Sequence, residues 1–311
     1  MPDRRIPAKV LRERGAHDSY AREVTIHGAI KPAAIAATVL GAILMLRKPL
    51  TDAMLFHPEA GQYRTPSELG LHFEAISIVA ADGVRTEAWW MPAPSASATV
   101  VFFHGNAGTM AYRLENARAL VDEGFSVLFP EYRGYGNSEG QPSETGLYSD
   151  ARAAVREAKR RAGELPLIVS GRSLGGAVAV DVATGKGVEN EIDGLLVESS
   201  FTSLAEIAGK TGIPFAGRLV AYRFASEEKI ASLRKPLLLV HGDQDELIPF
   251  EMCLRLRDAA KRAEWVDLHI VVGGTHNEIP RTGGEPYRKA WREFIARVAA
   301  RRSQSTISKS P

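Results

Sequence analysis

Gly171-Arg172-Ser173-Leu174-Gly175 is the stretch that decides the fold of this 311-residue chain. An apolar run, 165–169, precedes it, and a small, apolar, helix-like stretch, 176–180, follows it. A strand, a Gly-x-Ser-x-Gly turn and a helix in this order are typical of a nucleophile elbow. The glycines are needed because the turn strains the serine backbone and a Cβ on either side would clash with neighbouring elements. Ser173 is therefore the candidate nucleophile, placed at the tip of a sheet above a helix N-terminus that favours negative charge.

Apolar runs alternate with helix-like stretches on both sides of this turn. Continuous apolar runs indicate strands that are buried on both faces, and strands that alternate with helices form a mostly parallel, doubly wound α/β sheet. Two segments of alternating polarity around Asp82-Gly83 predict an antiparallel hairpin that opens the sheet. The predicted strands are 73–79 and 86–90 in the hairpin, then 100–103, 126–129, 166–170, 195–197, 236–240 and 268–272. The predicted helices are 111–121, 144–161, 174–184, 250–262 and 285–299.

Two further groups needed for acyl transfer by a serine follow later strands. A serine nucleophile needs a base and an acid that orients the base, and the order serine, acid, histidine is the one found on α/β sheets of this kind. Asp245 follows the strand 236–240, and His276 follows the strand 268–272 in a loop that Gly273-Gly274 allows to bend. Both lie at carboxyl ends of strands, where open α/β sheets place their sites. Asp243 is the rival acid, and the loop pattern favours Asp245.

The loop after the strand 100–103 is the expected source of the first oxyanion donor. It reads His104-Gly105-Asn106-Ala107-Gly108, and its glycines let the main chain approach a substrate oxygen closely. The predicted donors are the main-chain N–H groups of Asn106 and Leu174. Each of these features also has a purely structural explanation. The serine motif can be a turn before a helix, and His104-Gly105 can simply end a strand. Asp245 can cap a helix, and His276 can be a surface histidine. Their joint occurrence in the correct order, each at a strand end, favours the catalytic explanation.

Composition excludes several classes of protein. The chain has 39 Lys and Arg against 37 Asp and Glu, a net charge of +2, which argues against a nucleic-acid binder. Its single cysteine, Cys253, excludes a disulfide framework and a cysteine-based metal site. No Walker loop or dinucleotide fingerprint is present, so no cofactor and no metal are expected.

Fifteen uncharged residues, 32–46, lie between Lys31 and Arg47 near the N-terminus. As a helix this run spans roughly 22 Å, and snorkelling of the flanking cations extends it towards the ~30 Å hydrocarbon core. The sequence thus predicts a polar N-terminal tail over 1–28, a transmembrane anchor over 29–48, a catalytic domain over 49–301 and a disordered tail over 302–311. A cleaved signal peptide and a buried soluble helix are the alternatives to the anchor, and the flanking charges are too even to orient it.

Several motifs over residues 55–299 resemble the α/β-hydrolase superfamily, in particular its membrane-anchored bud-emergence-type serine hydrolases, which are related to serine aminopeptidases and acyl-protein thioesterases. These motifs are Leu55–Pro58, Trp89–Pro92, His104–Gly108, Tyr132–Ser138, Gly171–Gly176, Glu198–Ser203 and His241–Asp245. The resemblance implies Ser173 as nucleophile, Asp245 as acid and His276 as base. It also implies a single-pass N-terminal anchor and, because only about thirty residues separate Phe201 from Arg234, a small cap or none. Glu131 departs from the family, which more often has Asp there.

These observations predict a serine hydrolase that cleaves a carboxylic ester or thioester, with an acyl chain on its substrate, through an acyl-enzyme. A small-molecule or acylated substrate and a membrane are the expected partners, without nucleic acid. A serine peptidase or aminopeptidase on the same fold is the first alternative, although no charged residue that would hold a peptide terminus is evident. A non-catalytic membrane scaffold is the second. The natural substrate, the membrane, its sidedness and the oligomeric state are left open by the sequence.

Overall fold

The computed structural model describes residues 34–213 and 215–307, and the chain divides into two units after Leu50. The predicted polar tail lies outside the described residues. The strands are β1 (His57–Pro58), β2 (Glu74–Val79), β3 (Arg85–Met91), β4 (Ala98–Phe103), β5 (Ala107–Gly108), β6 (Phe125–Pro130), β7 (Leu167–Arg172), β8 (Gly194–Glu198), β9 (Leu237–Gly242) and β10 (Val266–Val271). The helices are α1 (Ala34–Leu55), α2 (Leu114–Asp122), α3 (Glu144–Ala162), α4 (Leu174–Thr184), α5 (Leu204–Gly209), α6 (Ala216–Leu219), α7 (Ser226–Ile230), α8 (Phe250–Ala259) and α9 (Ile279–Ile307).

Eight of the strands form one sheet in the order β10-β9-β8-β7-β4-β6-β3-β2. Its neighbours pair in parallel except β3, which is antiparallel to both β2 and β6. The predicted mostly parallel sheet with an antiparallel hairpin is confirmed. The two short strands, β1 and β5, pair separately, so that His57 lies beside Ala107 in the predicted oxyanion loop.

The central strands are buried on both faces, as their continuous apolar sequence predicts. In β7, Leu167 and Val169 pack into one apolar cluster, and Ile168 between them packs into the other. At about 25 cal/mol per Å² of apolar surface, burying such side chains on both faces is the main force that holds the sheet between its helices. The carboxyl end of β7 is thereby fixed, and the elbow that follows rests on a rigid element.

The helix predicted over 111–121 differs from the structure in its first turn. A 3-10 turn, Met110–Arg113, comes first, and α2 begins only at Leu114. The cause is local, because the side chain of Thr109 accepts a hydrogen bond from the N–H of Ala111 and starts a tighter turn. As a result, Arg113 stands at a junction between two helical segments rather than inside one.

The structure differs from the prediction of a disordered tail at the C-terminus. A disordered tail is expected from Arg302, but α9 continues to Ile307, and Arg302 forms an ion pair with Asp193. Within α9 the backbone of Gly284 is non-helical, with φ +51°, so the second segment starts at Glu285 as predicted. Residues 308–311 lie outside the described part of the chain.

The apolar segment near the N-terminus lies within α1, a helix of 22 residues that is long and apolar enough to cross a membrane. The helix does not end at Lys48, where the predicted anchor ends, but continues to Leu55. In the described residues of the interval 201–234 the helices are the short α5, α6 and α7, which agrees with the expectation of a small cap.

Candidate active site

Ser173 lies in a strained turn between β7 and α4. Its backbone has φ +55° and ψ −120°, values that non-glycine residues rarely adopt. A Cβ on Gly171 would lie 2.0 Å from the carbonyl oxygen of Gly175, and a Cβ on Gly175 would lie 2.1 Å from that of Phe103. Both distances are far below van der Waals contact. Only glycine fits at these two positions, for the steric reason that the sequence pattern implies.

His276 and Asp245 form a buried hydrogen-bonded pair. Nδ1 of His276 lies 2.9 Å from Oδ2 and 3.1 Å from Oδ1 of Asp245. Because a carboxylate accepts hydrogen bonds, Nδ1 is the donor of this pair, which leaves Nε2 as the ring nitrogen that can accept one. The rival acid, Asp243, instead accepts the N–H of Gly273 at 2.7 Å. Asp245 is thus the carboxylate that orients the candidate base.

A second imidazole contacts the same carboxylate. Nε2 of His241 lies 3.4 Å from Oδ2 of Asp245 and donates to the carbonyl of Ile248 at 2.8 Å. Burial alone would raise the pKa of Asp245, but hydrogen bonds from His241 and His276 outweigh it and hold the pKa well below its ordinary value. Burial alone would lower the pKa of His241, but Asp245 and Cys253 outweigh it and raise the pKa to about 10. Asp245 therefore stays ionised, as an orienting acid must.

The peptide group between Gly105 and Asn106 is held in place through a hydrogen bond to the Gly105 carbonyl oxygen. Nδ1 of His104 donates to the carbonyl oxygen of Gly105 at 2.8 Å, while Nε2 of His104 lies 2.7 Å from Glu131. In a trans peptide the N–H points away from the C=O, so fixing the Gly105 carbonyl also fixes the direction of the Asn106 N–H. The Asn106 carbonyl is held in turn by the Tyr135 hydroxyl at 2.7 Å. These contacts fix the orientation of the Asn106 main-chain N–H, which is one of the two predicted oxyanion donors.

These groups meet at a cleft of about 590 Å³. Its walls include the candidate nucleophile, base and both oxyanion residues, together with apolar side chains and several charged ones. The lining residues are Leu55, Gly105, Asn106, Ala107, Arg113, Arg172, Ser173, Leu174, Phe201, Leu204, Ile207, Lys210, Thr211, Glu246, Leu247, Ile248, Pro249, His276 and Asn277. Ser173 and His276 share this cleft, although no hydrogen bond joins them among the described residues. Leu174 begins α4, so its N–H is free of the helix ladder and available as a donor.

The sequence analysis missed three parts of this cleft. Arg172, the variable residue of the serine motif, is buried and pairs with Glu198. The main-chain carbonyl of Leu55 accepts a hydrogen bond from the Asn106 side chain at 2.9 Å. Arg113 lines the cleft from the junction before α2. The order of the motifs does not predict a place in the cleft for these three groups, because that place depends on the three-dimensional position of a side chain or carbonyl.

Comparisons with known proteins agree with the fold and show the family. The sequence profile of the family described as "Serine aminopeptidase, S33" matches residues 94–226. The α/β hydrolase domain-containing protein WAV2 of Arabidopsis thaliana is 33% identical over 256 residues, which cover 76% of this chain and 82% of WAV2. The protein bem46 of Schizosaccharomyces pombe is 30% identical over 280 residues, covering 85% of this chain and 90% of bem46. Among solved structures, the Pyrococcus furiosus esterase Pf2001 superposes with a TM-score of 0.67 at 21% identity, covering 78% of this chain and 98% of its own.

Proposed function

This chain belongs to the α/β-hydrolase family and is a hydrolase of that fold, and from this premise we propose that it cleaves a carboxylic ester or thioester through Ser173, His276 and Asp245. One observation carries the proposal. The Asp245 carboxylate binds Nδ1 of His276, which leaves Nε2 as a base in the cleft that Ser173 also lines. A base in the correct tautomer that shares a cleft with a half-buried serine on a strained turn is the arrangement that serine catalysis needs.

In the proposed reaction, Nε2 of His276 takes the hydroxyl proton as Ser173 attacks the carbonyl carbon. The oxygen of the tetrahedral intermediate accepts hydrogen bonds from the N–H groups of Asn106 and Leu174. His276 then gives its proton to the leaving alcohol or thiol, and an acyl-enzyme remains. Water, deprotonated by the same imidazole, attacks the acyl-enzyme; the carboxylic acid leaves, and His276 returns the proton to the Ser173 oxygen.

Covalent labelling with a fluorophosphonate probe tests the nucleophile without knowledge of the substrate. We expect the wild-type protein to be labelled and Ser173→Ala and His276→Ala to remain unlabelled. Ser232→Ala is the matched control, because Ser232 is an exposed serine whose hydroxyl only binds the carbonyl of Lys229. Unlabelled wild-type protein that is folded by circular dichroism, or undiminished labelling of Ser173→Ala, would contradict the proposal.

The apolar part of the cleft supports an acyl-chain substrate. Phe201, Leu204 and Ile207 line it from the small cap region. Burial of each methylene against such a wall is worth about 0.8 kcal/mol, so kcat/KM should rise with chain length over a series of p-nitrophenyl esters. A flat profile, or a preference for acetate, would count against an acyl chain.

A peptidase is the second candidate, because the matching family profile carries the name of an aminopeptidase. An aminopeptidase needs an acidic group that holds the substrate ammonium. Glu246 is an acidic residue in the cleft wall, and it accepts the main-chain N–H of His276 at 3.1 Å. Assays with aminoacyl coumarin amides decide between the two: turnover of these amides that is lost when their α-amino group is acetylated would favour the peptidase.

We further propose that the segment 29–48 anchors the protein in a membrane through α1 and that 49–301 is the catalytic domain. The 22 residues of α1 span about 33 Å, compared with a hydrocarbon core of ~30 Å. The full-length protein should stay in the membrane fraction after alkaline carbonate extraction, and a variant that begins at Thr51 should not. Release of the full-length protein by carbonate would rule out a spanning anchor.

A further inference from the structure

Arg113 brings a cation into the cleft that the proposed reaction does not use. It ends the 3-10 turn Met110–Arg113, which begins two residues after the candidate oxyanion loop. Its side chain is half-buried and lines the same cleft as Ser173 and His276. The only hydrogen bond that its guanidinium makes in the described part of the chain is to the carbonyl of Tyr112, at 3.2 Å.

This arginine differs from the others in the second unit. Each other buried or half-buried arginine in 51–304 has a carboxylate partner, whereas Arg113 has none among the residues that the structure describes. The paired arginines are Arg64, Arg118, Arg133, Arg152, Arg161, Arg172, Arg288, Arg292, Arg301 and Arg302. A partly desolvated charge without a counter-ion costs free energy, so its place in a catalytic cleft calls for a function.

The other charged groups at the cleft do not neutralise the charge of Arg113. The Arg172 charge is balanced by Glu198, and Asp245 is bound by two imidazoles. Glu246, the acidic residue of the lining, accepts the main-chain N–H of His276 but forms no ion pair with Arg113 among the described residues, and Lys210 adds a second, exposed cation. Burial and then the nearby Arg172 lower the pKa of Arg113, yet a guanidinium stays protonated at neutral pH. Arg113 and Lys210 are two cations against the single carboxylate of Glu246, so the net charge of these three lining groups is positive.

We propose that the natural substrate is an ester or thioester that carries a carboxylate or phosphate group, and that Arg113 binds this anion while Ser173 attacks the acyl carbonyl. The inference rests on the proposed function. The planar guanidinium fork matches both anions, because it donates two parallel hydrogen bonds to a pair of oxygens. Arg113 is in this view a specificity residue for the anionic part of the substrate, and the apolar wall takes the acyl chain.

Two matched pairs of esters test the proposal and separate the two anions. The first pair is p-nitrophenyl hexanoate and mono-p-nitrophenyl adipate, which differ in a terminal carboxylate. The second is a monoacylglycerol and the corresponding monoacylglycerol phosphate. The readout is the ratio of kcat/KM for the anionic ester to that for the neutral ester. Because both esters are measured on the same preparation, a partly misfolded variant lowers both rates and leaves the ratio unchanged.

We expect the wild-type enzyme to prefer the anionic ester of at least one pair, and the pair identifies the anion. Arg113→Gln should lower that ratio by about 10- to 100-fold, chiefly through KM, which is the range of one charge-assisted, bidentate contact. Arg113→Lys should restore part of it, and added salt should reduce the wild-type ratio. Arg257→Gln is the control, because Arg257 is exposed on α8 and pairs with Asp258.

The inference is overturned if the wild-type enzyme prefers the neutral member of both pairs or discriminates in neither, or if Arg113→Gln keeps the wild-type ratio. In each of these outcomes the labelling of Ser173 by the fluorophosphonate still stands. A protein that is not labelled at all contradicts the proposed function instead, so the two failures are distinguishable.

Discussion

Arg172, the residue before the candidate nucleophile, donates a hydrogen bond to the main-chain carbonyl oxygen of His276. The same side chain lies 3.4 Å from Glu198, which is fully buried and also accepts the Tyr287 hydroxyl at 2.8 Å. Burial raises the pKa of Glu198, and the Arg172 charge opposes this shift. One guanidinium thus links the elbow of the candidate nucleophile to the loop of the candidate base, and a buried carboxylate holds it in place.

Removal of Arg172 should therefore affect stability and catalysis together. Arg172→Gln leaves Glu198 buried without its cation, and we expect a loss of about 3–5 kcal/mol in the free energy of unfolding. The double variant Arg172→Gln, Glu198→Gln removes the stranded charge and should recover most of that loss, but not kcat. Urea unfolding and ester kinetics of both variants measure the two effects. Equal stability of the single and double variants would refute this account of the pair.

The two neighbouring aspartates should differ sharply in their effect on the reaction. Asp245→Asn replaces the acceptor of the His276 Nδ1 proton and allows the wrong tautomer, so we expect kcat to fall by about 10³–10⁴-fold. Asp243→Asn alters an exposed bond to Gly273 and should change kcat by less than about threefold. Steady-state hydrolysis of one p-nitrophenyl ester compares them. A larger loss with Asp243→Asn would assign the acid to Asp243.

The glycines around Ser173 should not tolerate even one methyl group. Gly175→Ala brings its Cβ against the main-chain carbonyls of Phe103 and His104, at 2.1 and 2.5 Å. Since main-chain atoms cannot move aside cheaply, we expect a loss of at least about 3 kcal/mol in stability and no fluorophosphonate labelling. Gly209→Ala, in α5 with no atom near the added Cβ, is the control and should be neutral or slightly stabilising. If Gly175→Ala were labelled as strongly as the wild-type protein, the elbow would be less tightly packed than these distances indicate.

The raised pKa of His241 predicts a dependence of stability on alkaline pH. The folded value is about 10, compared with an ordinary value near 6.5, so the folded state holds a proton that the unfolded state loses earlier. The stabilisation is complete below about pH 6.5 and falls as pH rises through 10, with a slope of up to about 1.4 kcal/mol per pH unit. His241→Asn should lack this component. Urea unfolding of both proteins between pH 6 and 10.5 checks it, and parallel pH profiles would disprove it.

Much of the fold could be predicted from local patterns. The α/β-hydrolase fold and the hairpin are confirmed, and α4 has the predicted bounds, because continuous apolar runs and glycine turns act over short distances. The end of α1 at Leu55 and the helical conformation of Arg302 were not predicted. Both depend on contacts distant in sequence, such as the ion pair of Arg302 with Asp193.

In the candidate site, too, some residues could be predicted from local patterns and others could not. Ser173, Asp245 and His276 could be proposed because parallel strands bring their carboxyl ends to one edge, and their catalytic roles stay a prediction. Arg113 could not be found in the sequence. An arginine in a helix-like stretch is common. What distinguishes Arg113 is that no carboxylate pairs with it in the part of the fold that the structure describes.

Leu55 sets a limit on how a soluble form of this enzyme can be prepared. It is the last residue of α1, yet it lines the cleft and its carbonyl accepts a hydrogen bond from the Asn106 side chain. One turn earlier, the Thr51 hydroxyl accepts the N–H of Ala221, and Asp52 accepts the Tyr222 hydroxyl. Trimming the apolar segment back to Phe56 would therefore remove part of the cleft wall along with the proposed anchor. A truncated enzyme has to keep the final turn of the helix, starting no later than Thr51.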